Sequence, residues 1–120
     1  MTYAVDFDKT LSFAPYPDVG NPNTPLIEYL IRCRENGDKV ILWSCREGEY
    51  LNRAINFCKS QGLEFDAVND NLPELVAIFK SNPRKIAADI YIDDKAIQAD
   101  VFVKNRCGKR KGVRGLKIKK

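Results

Sequence analysis

The sequence predicts an α/β fold, with a mostly parallel sheet and helices on both faces. Three observations carry this. Short apolar runs alternate with longer segments whose apolar residues recur at helical spacing. The run Val40-Ile41-Leu42-Trp43 is apolar throughout, as strands covered on both faces are. Proline and glycine cluster at the joints between these segments.

Thr2 to Phe7 is rich in strand formers and reads as the first strand. Pro15, Pro17, Gly20, Pro22 and Pro25 then exclude a regular element. Asn23 or Thr24 caps a first helix, with Pro25 in its opening turn. Leu26, Ile27, Leu30 and Ile31 form its apolar face, and Asn36-Gly37-Asp38 ends it.

Lys39 to Trp43 is the second strand. Glu47 to Ser60 is a helix with Leu51, Ala54, Ile55 and Cys58 on one side and Gly62 past its end. Leu63 to Val68 is a third strand, Leu72 to Phe79 a weak helix, and Asp89 to Ile92 a fourth strand. Ala99 to Val103 is a candidate fifth strand.

A chain of 120 residues fits one compact domain, here residues 1 to 103. The net charge of +4 hides an asymmetry. Lys104 to Lys120 holds 9 basic residues and no acidic one, whereas the other 103 residues hold 11 basic and 16 acidic. This basic tail is either a solvated extension or a contact for a polyanion such as nucleic acid.

No apolar run approaches the roughly 20 residues of a membrane helix, and the start of the chain lacks the pattern of a signal peptide. The expectation is therefore a cytoplasmic protein with reduced cysteines. Cys33, Cys45, Cys58 and Cys107 lack zinc-knuckle spacing, and the chain has no histidine. That excludes a Ser-His-Asp hydrolase and leaves proton transfer to Asp, Glu, Lys, Tyr or Cys.

Ligands of open α/β sheets bind at the carboxyl ends of the strands. The first strand there ends in Asp6-Phe7-Asp8, the second in Ser44-Cys45-Arg46, and the fourth in Asp93-Asp94. Four carboxylates converging on one sheet edge repel each other unless a cation holds them. A hard cation with oxygen ligands, magnesium above all, suits the set.

These residues resemble the motifs of the haloacid dehalogenase superfamily. Asp6-Phe7-Asp8-Lys9-Thr10 is similar to its Asp-x-Asp-x-Thr signature, Ser44 to its second motif, Lys85 to its third and Asp93-Asp94 to its acidic fourth. Lys9 stands where most relatives carry glycine. The resemblance implies a Rossmann-like core and a magnesium-dependent phosphomonoester hydrolase. In it Asp6 is the nucleophile and Asp8 the acid and base, while Ser44 and Lys85 hold the phosphoryl group.

The metal ligands it implies are the carboxylates of Asp6 and Asp93 and the backbone carbonyl of Asp8, with Asp94 close by. Thr10 braces the turn of Asp8 beside the substrate. Arg46 either forks onto the substrate or pairs with Glu47 or Glu49. Lys80 is the competitor of Lys85.

No cap domain is expected, because residues 11 to 25 and 69 to 88 are too short to hold one. The loop through Tyr16 and Asn21 is the candidate partial lid. Two other readings stay open: a phosphatase acting on nucleic-acid ends, and a metal-binding interaction domain without activity.

Overall fold

The structure is a computed structural model that describes residues 1–107, with side chains to residue 105. Four strands, β1 (Thr2–Val5), β2 (Lys39–Leu42), β3 (Ala67–Val68) and β4 (Ile90–Ile92), form one all-parallel sheet in the order β3-β2-β1-β4. Helices α1 (Thr24–Glu35), α2 (Gly48–Ser60) and α3 (Pro73–Phe79) connect them. The α/β class, the parallel sheet and its flanking helices are as the sequence predicts.

Alternation along the strands divides the core between the two faces. Tyr3 and Val5 of β1 and Val40 and Leu42 of β2 pack with Ile27, Leu30 and Cys33 of α1 and Ala54 and Cys58 of α2. Ala4 and Ile41 face the other way, toward Leu72, Leu75 and Ile86. The chain therefore crosses from one side of β1 to the other between β3 and β4. That crossing makes the β1–β4 junction the switch point of the sheet, where a crevice opens at the strand ends.

Asn23 caps α1 with its side chain accepting from the Leu26 N–H, and Pro25 lies in the first turn. Between β1 and α1 the chain forms only two isolated bridges, Asp8 to Ser12 and Ser12 to Pro22. No helix among the described residues is long and apolar enough to cross a membrane. Cys33, Cys45 and Cys58 are free thiols.

Two expectations need correction. The third strand shrinks to Ala67–Val68. Upstream of it, the Leu63 N–H turns back to the Cys58 carbonyl to close α2. The Asp66 carboxylate takes the Val40 N–H and an Arg34 fork, which holds the approach to the ladder with a side chain. The candidate fifth strand is instead a helical turn, α4 (Ala99–Phe102), running into a π-helical turn at Val103–Cys107. A short apolar run fits either period. Here the Phe102 N–H closes on the Gln98 carbonyl, and Asp100 accepts from the Val101 N–H. Most of the basic tail, and its side chains beyond 105, lie outside the described residues.

Candidate active site

Asp6 is the residue after β1. Its N–H donates to the Ile92 carbonyl of β4, and the next bond across, from the Trp43 N–H to the Val5 carbonyl, ties β1 to β2. Asp6 is thereby held at the switch point between the ends of two strands. Carboxylate oxygens of Asp6, Asp93 and Asp94 lie within 4.8 Å of one another. Asp6 is half-buried, while Asp93 and Asp94 are exposed.

The turn after Asp6 folds on the Phe7 carbonyl, which accepts from the N–H groups of Thr10, Leu11 and Ser12. Lys9 sits there at φ 62°, in the left-handed region that favours glycine. Thr10 is buried, and its hydroxyl donates to Asp6 Oδ2 over 3.1 Å. Thr10 therefore braces the turn that carries Asp8 with its N–H and the Asp6 carboxylate with its hydroxyl.

The largest correction concerns Arg46. Its guanidinium is 1% exposed and forks onto Asp8, Nε to Oδ2 at 2.9 Å and Nη2 to Oδ1 at 2.7 Å. It also donates to the carbonyls of Pro17, Asp18 and Tyr50. The rings of Phe7 and Tyr16 stand 4.9 and 5.0 Å from it. Arg46 thus neither faces a substrate nor pairs with Glu47 or Glu49. It anchors the proline loop and holds the Asp8 carboxylate in a two-point fork. The loop proposed as a lid is held down by these bonds and by the Ser12 hydroxyl on Gly20.

With this geometry the chain can be set beside known proteins. No family model and no curated protein matches it. A conserved protein of solved structure from Bacteroides thetaiotaomicron is 41% identical, over 81% of this chain and 78% of that one, with a TM-score of 0.71. The chain belongs to that protein's family. No activity is attached to the family by that likeness, so the chemistry is read from the site.

Electrostatics single out Asp6 in this family member. Burial, and after it the negative charge of Asp93, push the Asp6 carboxyl up to about 6. The Phe7 N–H and the Thr10 hydroxyl pull in the opposite direction. A carboxyl raised this way at a sheet switch point is a candidate functional group. The donors are carboxylate oxygens alone, which fit a hard cation and not a soft one.

Ser44 follows β2 on the neighbouring strand, its Oγ accepting from the Arg46 N–H. Lys85 lines a cleft with Asp93, and its Nζ lies 5.8 Å from the centroid of the Tyr91 ring. Lys80 instead ends α3 in a left-handed conformation and is not among the residues lining that cleft.

Two supporting residues escaped the sequence reading. Asn69 accepts the Ser44 N–H with Oδ1 at 2.7 Å. Buried Asn71 ties Asn82, the Pro83 carbonyl and the Ala87 N–H together, so it shapes the segment that carries Lys85. The signal was present: the third strand also ends in polar residues, Asn69-Asp70-Asn71, and the strand-end rule applies to it equally.

Proposed function

We propose that the protein is a magnesium-dependent phosphomonoester hydrolase of the haloacid dehalogenase type, with Asp6 as nucleophile. The observation that carries this reading is the meeting of Asp6, Asp93 and Asp94 within 4.8 Å at the switch point of the sheet. The motif resemblance of Asp6 to Thr10, Ser44, Lys85 and Asp93-Asp94 supports it.

Asp6, Asp93 and Asp94 would hold magnesium, with the Asp8 carbonyl as the further ligand that the resemblance implies. Bound there, magnesium offsets the repulsion between a carboxylate and a phosphate dianion. An Asp6 oxygen attacks phosphorus and the bond to the leaving oxygen breaks. The leaving oxygen keeps the electron pair and takes a proton from Asp8.

Water then attacks phosphorus, gives its proton to Asp8, and releases Asp6 and inorganic phosphate. Arg46 occupies one side of the Asp8 carboxylate, so both proton transfers use the outward lone pairs. A carboxylate has about four acceptor positions, which leaves room for them. Ser44 donates to a phosphoryl oxygen, and Lys85 supplies positive charge to the transferring group.

The test is hydrolysis of an aryl phosphate with magnesium and with chelator, in the wild type and in Asp6→Asn. Turnover should need the metal and vanish in the variant, while circular dichroism stays native. Undiminished hydrolysis by Asp6→Asn would refute a covalent route through this residue.

A further inference from the structure

Sheet register sets one more side chain beside Asp6 that the mechanism leaves unused. Val5 pairs with Leu42 on one side and with Ile92 on the other. Trp43 and Asp93 are therefore the next residues flanking Asp6. Ala4, Ile41 and Tyr91 share one face of the sheet. Asp6, Trp43 and Asp93 each stand two positions further along, on that same face.

The Trp43 ring leans on Tyr91 at 5.4 Å between centroids and a 54° tilt. Ala4 lies between them on the central strand, and its small side chain leaves room for that approach. Trp43 is nevertheless 37% exposed. Trp43, Tyr91, Lys85 and Asp93 line a single cleft of about 590 Å³, within the usual range for small-molecule sites.

The cleft lining combines charged and aromatic groups. Asp93 and Lys85 would serve the phosphoryl group. The Trp43 indole adds a partly exposed aromatic face beside Tyr91. A sugar phosphate or a glycerol phosphate would leave that face against water. A nucleobase would cover it, and base–aromatic stacking is tolerant of base identity.

We propose that the substrate is a nucleoside monophosphate whose base stacks on Trp43. The proposal rests on the phosphatase reading of Asp6 for its phosphoryl end only. Trp43 is the sole tryptophan of the chain, so its fluorescence reports the stack directly.

In Asp6→Asn with magnesium, adenosine 5′-monophosphate should quench this fluorescence saturably, and ribose 5-phosphate should relieve the quench by competition without quenching by itself. In active protein, Trp43→Ala should raise the ratio of KM for adenosine 5′-monophosphate to KM for ribose 5-phosphate about tenfold, and Trp43→Phe should restore most of it. Hydrolysis of both esters with equal KM, no quench, and an unchanged ratio in Trp43→Ala would overturn the base platform while leaving the phosphatase reading intact. Saturable quenching in protein that hydrolyses neither ester would uphold the platform and remove the phosphatase reading.

Discussion

Replacing Arg46 with alanine removes the cation that, among the described residues, fastens the proline loop to the strand ends. The variant strands the Asp8 carboxylate and the carbonyls of Pro17, Asp18 and Tyr50. Breaking a buried pair from one side costs about 3–5 kcal/mol. Asp8 is 28% exposed, so water recovers part of its share. The carbonyls belong to surface segments and can also be hydrated. The lower part of the range is therefore expected, about 3 kcal/mol. For a chain of this size that lowers Tm by roughly 12 °C.

Urea unfolding at neutral pH measures it, with the midpoint falling at constant slope. Arg46→Lys keeps the charge but not the fork, and should lose about half as much. A double-mutant cycle with Asp8→Ala should show coupling of at least about 1 kcal/mol. A loss below about 1 kcal/mol in Arg46→Ala, or additive behaviour with Asp8→Ala, would refute the anchoring role.

The raised Asp6 carboxyl makes the metal-free protein lose stability as pH climbs from about 4 to about 6, because the unfolded chain releases this proton first. Magnesium should reverse that loss, so its thermal shift should be small at pH 5 and full by pH 7.5. An equal shift at both pH values would detach the cation from Asp6. Lys85→Ala should lower kcat/KM for an aryl phosphate about a hundredfold, on the order of 3 kcal/mol in the barrier, and Lys80→Ala by far less. The reverse ranking would move the third motif to Lys80. Thr10→Val deletes the hydroxyl on Asp6 at nearly constant volume and should slow turnover about threefold to tenfold, the worth of one hydrogen bond. Unchanged kinetics would show that this bond leaves the nucleophile's reactivity alone.

Local pattern made most of the fold legible. Apolar runs set β1 and β2 to within a residue or two, because a doubly covered strand has to be apolar at successive positions, and the short run Ile90-Tyr91-Ile92 set the half-exposed edge strand β4. Caps and breakers placed α1, since Asn23, Pro25 and Gly37 act on their own backbone. Pattern was silent where a segment was too short for its period to show. Val101 and Phe102 read equally as strand or helix, and the Gln98 carbonyl decided for a helical turn. At β3 the Asp66 side chain took the place of backbone pairing.

The carboxylates of the candidate site were legible for a related reason. Parallel strands end on one edge, so a run of apolar residues followed by Asp places that Asp at the edge wherever the strand lies in the order. The sequence alone therefore determined that Asp6 and Asp93 share one rim. Only the tertiary structure decided how the other polar groups divide among themselves. Arg46 had two glutamates close in sequence, yet its partner is Asp8, 38 positions away. Trp43 met Tyr91 across a strand that neither belongs to. Strand order and register set these meetings, and both follow from burying the whole core at once. No window of sequence around Arg46 or Trp43 contains that information, because the groups that desolvate and pair with each are brought up by other strands and loops.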